Sequence, residues 1–215
     1  AAIYAGGDVS PSPLGPVNES TWGQVATAEF IFTFVLCLVV LGTAVMEPTK
    51  SRVMFGLTIG SCVTVGGFAS GGISGGSLNP AVSFGIAAAD SFMHMTPAFY
   101  YSAFELVGGM AAALLIKITH SGPSMISKCA AEFAGTFLLV FTVGCNVLGN
   151  PGSDWGGVSI ACVLMVSIYT FGGISGANFN PAVSISLGIT KAFGGYGMDF
   201  KDVVIYCAVQ IIAGI

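Results

Sequence analysis

The sequence GGISGGSLNPAVS occupies residues 71–83, and GGISGANFNPAVS occupies residues 172–184, 101 positions later. Asn is a preferred N-cap and Pro a preferred first residue of an α-helix, so each copy predicts a sharply defined helix start. The glycines before it permit a tight loop. The apolar segments that follow, Pro80 to Ala88 and Pro181 to Ile189, are about 13 Å long as helices and reach only halfway across a bilayer. The pattern therefore predicts two re-entrant half-helices.

The repetition extends beyond these motifs. The tripeptide Ala-Glu-Phe at residues 28–30 returns at residues 131–133, 103 positions later. Each half reads as helix, helix, half-helix, helix, which gives repeat one at 21–120 and repeat two at 121–215. Because three full crossings separate the two copies, the second must enter the membrane from the opposite face, and the repeat is inverted.

The composition identifies the solvent around these helices. Of 215 residues, 54% are hydrophobic and only 7% are charged, whereas a soluble domain carries about 25% charged residues. A sixth apolar segment begins near Val203, but the sequence stops at Ile215, so we expect a sixth helix truncated within its span. Residues 1–20 predict an exposed tail. We expect an all-α membrane protein with six transmembrane helices, of which five complete spans are visible: Thr27–Met46, Val53–Ser70, Pro97–Ile116, Cys129–Leu148 and Gly156–Gly173.

Several function classes are not supported by this composition. A net charge of −4 and a pI near 4.9 provide no basic stripe for phosphates, so we expect no nucleic-acid partner. Six cysteines mostly lie inside apolar spans without the close pairing typical of metal or redox sites, and we read them as buried thiols. No catalytic set, metal site or cofactor site accompanies them, so an enzyme is not expected.

Two Asn-Pro-Ala turns, each after a Gly-Ile-Ser-Gly approach, and a glutamate in the first helix of each mirrored half resemble the aquaporin (major intrinsic protein) family. The resemblance covers nearly the whole chain and implies a channel domain at 21–215 for passive permeation of water and small neutral solutes. It also implies an integral multi-pass protein of the plasma membrane or an organelle membrane, assembled as a homotetramer or within a larger membrane complex. The pore motifs are Asn79, Pro80, Ala81, Asn180, Pro181 and Ala182.

The two half-helices predict how such a pore treats charge. Their N-termini place about half a positive charge each near the midplane, which repels cations. If each Asn oxygen caps its own helix, the amide NH2 groups of Asn79 and Asn180 are fixed as donors toward the lumen. A central water then spends both hydrogens on its neighbours and proton hopping is interrupted, the exclusion described for aquaporin-type pores. By resemblance, Glu29 and Glu132 brace the loops by accepting backbone N–H bonds.

Glu105 and Gln210 lie at matching places in the third helix of each half, 105 positions apart. We expect the same bracing role for both residues.

The sequence departs from the family at the selectivity filter. The resemblance places the four filter side chains at Ile59, Ile168, Ala177 and Val183, with Val183 where the family has an arginine. This filter is apolar, and three outcomes remain open: a wider pore for small neutral solutes, a hydrophobic constriction that dewets, or an aquaporin-like structural subunit that conducts little or nothing.

The basic residues lie on one side of the predicted bundle. They all flank the first-to-second, third-to-fourth and fifth-to-sixth connections, which the positive-inside rule assigns to the cytoplasm. The count predicts a reversed insertion relative to the family; alternatively, basic residues missing from either end of the sequence restore the family's orientation. The six are Lys50, Arg52, Lys117, Lys128, Lys191 and Lys201.

Overall fold

The computed structural model describes residues 14–89, 95–149 and 154–215. Residues 1–13 of the predicted tail lie outside these ranges. Across the described residues the chain forms helices and no strand, which confirms the predicted all-helical class. In chain order the α-helices are α1 (Trp22–Val40), α2 (Phe55–Ser74), α3 (Pro80–Ala89), α4 (Met95–Thr119), α5 (Met125–Gly144), α6 (Gly156–Ser175), α7 (Pro181–Ala192) and α8 (Phe200–Ala213).

Five helical segments of the described chain are long and apolar enough to cross a membrane. They correspond to the five predicted complete spans, and α8 corresponds to the sixth predicted segment. The half-helices α3 and α7 follow α2 and α6 through short loops, as the repeat predicts. The membrane-crossing segments are Trp22–Val45, Phe55–Ser74, Met95–Thr119, Met125–Leu148 and Gly156–Ser175.

The first helix of each half ends in a π-helical turn. Leu41–Val45 continues α1, and Cys145–Gly149 continues α5. Each turn places a polar side chain against the following helix of its own half. Thr58 Oγ1 lies 3.4 Å from Thr43 Oγ1, and Asn146 Nδ2 donates to Ser159 Oγ at 3.0 Å. These buried polar contacts fix the helices relative to each other where hydrocarbon provides no alternative partner.

The two halves pack in the same way and then join. In the first half α1 contacts α2 and α4, and α3 lies on α4. In the second half α5 contacts α6 and α8, and α7 lies on α8, while α2 and α6 form the main contact between halves. Gly108 allows the close approach of α4 to α1, because a Cβ there would lie 2.5 Å from the Phe30 carbonyl oxygen. Small residues at such interfaces are typical of membrane helices.

The bundle has two chemically different ends. We call the end that carries the α1–α2, α4–α5 and α7–α8 connections the basic face. The first two of these connections meet there, since Thr49 Oγ1 lies 3.1 Å from His120 Nε2. Within the third, Lys191 pairs with Asp199 at 2.9 Å. Burial lowers the pKa of His120 and favours its neutral form. The positive charge of this face therefore comes from lysine and arginine.

The opposite face carries the start of α1 and the end of α2. Residues 14–20 of the predicted tail lie against this end of the bundle. The Val17 N–H donates to the Ile73 carbonyl at 2.9 Å, and the Gly15 N–H donates to the Tyr101 hydroxyl at 3.1 Å. The described part of the predicted tail is therefore tied to the end of α2 and to α4.

Candidate channel site

Each half-helix is capped by the asparagine of its Asn-Pro-Ala motif. Asn79 Oδ1 accepts from the Ala81 N–H, and Asn180 Oδ1 accepts from the Ala182 N–H, both at 2.9 Å. Both asparagines are accessible to solvent. Because the oxygen of each amide is used by the cap, its NH2 group is left as a donor held in a fixed direction.

The loops that deliver these caps share an unusual backbone. Leu78, Ala177 and Phe179 adopt left-handed conformations with φ of 56°, 53° and 51°. Non-glycine residues rarely adopt this region, and each costs free energy that the surroundings must repay. Leu78 and Phe179 are also buried in the same apolar cluster between the two halves. Both loops are thus anchored in one shared core.

Glu29 of α1 holds the first loop. Its Oε1 accepts from the Ser74 hydroxyl at 2.7 Å and from the Ser77 N–H at 3.1 Å, while Oε2 accepts from the Leu78 N–H at 2.8 Å. Glu29 is fully buried, so these bonds replace the water that a carboxylate otherwise requires. They also fix the left-handed backbone at Leu78.

Glu132 of α5 holds the second loop in the same geometry. Its Oε1 accepts from the Ser175 hydroxyl at 2.6 Å and from the Asn178 N–H at 3.0 Å. Its Oε2 accepts at 2.8 Å from both the Phe179 N–H and the Gln210 side-chain amide. The carboxylate therefore has four donors, and one of them comes from α8.

The last helix of each half, α4 in the first and α8 in the second, carries a different residue at one position of this network. Gln210 on α8 donates its amide to Glu132 and also lies 3.0 Å from Ser184 Oγ. Glu105 on α4 occupies the equivalent place in the first half. Its Oε1 accepts from the Asn79 N–H at 3.1 Å and from the Ser83 hydroxyl at 3.0 Å. The first half thus has a carboxyl where the second half has an amide.

Two tyrosines complete the bracing and were not singled out from the sequence. The Tyr101 hydroxyl donates to the Ser74 carbonyl at 2.7 Å, and the Tyr206 hydroxyl donates to the Ser175 carbonyl at 2.8 Å. Their spacing of 105 positions equals that of Glu105 and Gln210. This repeat was the sequence signal that could have identified them.

The four residues at the family's filter positions lie on three helices and one loop, in the half of the bundle nearer the basic face. Ile59 is partly buried near the start of α2 and packs against the core. Ile168 on α6 is 45% exposed, and Val183 on α7 is 41% exposed. Ala177 is buried in the loop before α7. Each of the four side chains is apolar, so this set adds no charge and no side-chain hydrogen-bond donor.

Comparison with known proteins identifies the family. The model described as "Major intrinsic protein" matches residues 17–126 and 119–215. Aquaporin NIP1-4 of Oryza sativa subsp. japonica is 31% identical, covering 84% of this chain and 70% of the relative. Glycerol uptake facilitator protein-like 6 of Lactiplantibacillus plantarum is 31% identical over 74% of this chain and 80% of the relative. Probable aquaporin TIP2-1 of rice is 29% identical over 80% and 77%.

The chain therefore belongs to the major intrinsic protein family of membrane channels. It is an integral multi-pass membrane protein of a family whose members are channels and not enzymes.

Proposed function

We propose that the chain is a passive channel for water and other small neutral solutes that excludes cations and protons. The observation that carries this proposal is the pair of half-helices, each capped by an asparagine whose oxygen is engaged by its own helix. Each N-terminus carries about half a positive charge from the helix macrodipole. Cations are repelled by these charges, whereas a neutral molecule is not.

Proton exclusion follows from the amide geometry. A water that accepts from the NH2 groups of Asn79 and Asn180 has only its two hydrogens left for neighbouring waters. The hydrogen-bonded chain then changes direction at this molecule, and a proton cannot be relayed across it. Water itself moves on by exchanging equivalent partners, so flux continues while proton hopping stops.

The apolar filter positions support a permeant range wider than water. An arginine at residue 183 would supply charge-assisted donors and narrow the passage. Val183 supplies no such donors and leaves the passage wider. We expect small neutral solutes such as urea to share the path with water.

Stopped-flow measurements on proteoliposomes test this function. Wild-type protein should raise both water and urea permeability above that of empty liposomes, and Val183→Arg should lower the ratio of urea to water permeability. Val183→Ile is the matched control, because it changes the same position but adds neither a charge nor a hydrogen-bond donor. We expect Val183→Ile to leave the ratio nearly unchanged. Wild-type rates equal to those of empty liposomes for every solute would support a structural subunit instead.

The charge distribution supports a reversed insertion. The filter positions lie on the side of the basic face, where the lysines and the arginine are concentrated. Because these residues mark the cytoplasmic side, residues 14–20 lie on the non-cytoplasmic side, opposite to the orientation that the family resemblance implies. The same resemblance supports a homotetramer or a larger membrane complex, which native mass spectrometry of the solubilised protein would resolve.

A further inference from the structure

The two loop braces are nearly identical except at Glu105 and Gln210. In the second half, the Gln210 amide supplies Glu132 Oε2 with a hydrogen. In the first half, Glu105 Oε1 makes the serine contact that Gln210 Oε1 makes in the second half, so Glu105 Oε2 takes the place of the Gln210 amide nitrogen, on the side of Glu29. Glu105 Oε2 is buried and receives no hydrogen bond from any donor in the described residues. Without a proton, two carboxylates would face each other across a contact that an N–H donor bridges in the other half.

No positive charge within the described part of the network relieves this contact. The titratable groups around the pair are Tyr101 on α4, whose hydroxyl donates to the Ser74 carbonyl, and the two glutamates themselves. The half-helix α3 and the loop before it contribute only serine hydroxyls and backbone N–H groups. Lys117 on α4 and Lys128 on α5 lie toward the basic face, at the other end of the bundle. Two adjoining carboxylates in such a site cannot both remain ionised, and the pair retains one proton.

We propose that Glu105 is a proton-binding site: it is a neutral carboxylic acid that donates its Oε2 hydrogen to Glu29. The placement of the proton follows from the remaining bonds. Glu29 accepts hydrogens at both oxygens, whereas Glu105 accepts at Oε1 alone and has Oε2 available. The bound proton bridges Glu105 and Glu29, as the amide hydrogen of Gln210 bridges Gln210 and Glu132 in the second half.

This proton makes Glu105 a positioning residue for the first motif. Oε1 of Glu105 holds the Asn79 N–H, and the shared proton ties that carboxyl to Glu29, which holds the Ser77 and Leu78 N–H groups. Loss of the proton would set two negative charges against each other directly behind Asn79. The first loop is therefore sensitive to alkaline pH, while the second loop, closed by an amide, is not.

Infrared spectroscopy of the purified, reconstituted protein tests the site directly. A carbonyl-stretch band of a protonated carboxylic acid that is present at neutral pH and shifts in D2O reports a buried proton. We expect this band in wild-type protein and its loss in Glu105→Gln. The reciprocal variant Gln210→Glu is the matched test, and it should add a second band of the same kind. The readout does not depend on conduction, so a non-conducting protein would show the same spectrum.

A stability measurement provides the second test. In the unfolded chain, a glutamate in water has a pKa of about 4.3 and releases its proton above that pH. The native protein still holds the proton there. The native state thus binds more protons, and wild-type stability should fall as pH rises. Glu105→Gln should remove this part of the pH dependence in thermal unfolding. A wild-type spectrum without the band, a band that survives Glu105→Gln, or equal pH slopes for the two proteins would overturn the proposal.

Discussion

Replacement of Glu132 by glutamine should destabilise the protein severely even though the side chain keeps its shape. Glu132 accepts four hydrogen bonds at 2.6 to 3.0 Å. In Glu132→Gln one acceptor oxygen becomes an NH2 group, which faces the N–H of either Asn178 or Phe179. One buried backbone N–H is then unsatisfied, at a cost of about 1–3 kcal/mol. The surviving bonds lose their charge assistance, about 1 kcal/mol each. Part of this loss is offset because a charge is no longer buried.

We therefore expect Glu132→Gln to lower the free energy of unfolding by about 3 kcal/mol, a large share of a typical total of about 5–15 kcal/mol. Denaturant titration in mixed micelles, followed by tryptophan fluorescence, measures the change. Glu47→Gln is the control, since it makes the same chemical change on a side chain that is 83% exposed and pairs with Lys50. An exposed pair contributes less than about 1 kcal/mol. Equal effects of the two substitutions would refute the bracing role of Glu132.

Two further predictions concern packing and orientation. Gly108→Ala should lower the free energy of unfolding by about 1–3 kcal/mol in the same denaturant titration, because the new Cβ would overlap the Phe30 carbonyl. Gly67→Ala, on α2 where a Cβ meets nothing, should be neutral or stabilising. For orientation, a membrane-impermeant thiol reagent applied from the cytoplasmic side should label Tyr196→Cys and spare Glu19→Cys, and the opposite pattern contradicts reversed insertion.

The half-helix starts were predictable because their signals are local. An asparagine followed by proline specifies a helix start through its own side chain and ring, and α7 begins at Pro181 as expected. Some observed helix boundaries differ from the predicted ones, because the capping residue lies outside the apolar run. Helix α1 begins at Trp22, before the predicted Thr27, because Thr21 and Gln24 form a capping box. The apolar run alone could not reveal that polar start.

The bracing network was only partly predictable. Glu29 and Glu132 attract attention because a carboxylate in an apolar span is costly. The serines that complete the network, Ser83 and Ser184, are common residues whose importance depends on contacts with a distant helix. The chemical contrast between the two halves was visible in the sequence as Glu105 against Gln210, but its meaning required the hydrogen-bond partners of both residues.

The described bracing bonds also bear on how the chain could be divided. Glu29 and Glu105 hold the loop of their own half, and Glu132 and Gln210 hold the loop of theirs. None of these bonds crosses residues 120–124 between α4 and α5. A backbone cut there would leave both capped half-helices with their own supports, so the halves are natural candidates for complementing fragments that reassociate through the α2–α6 contact.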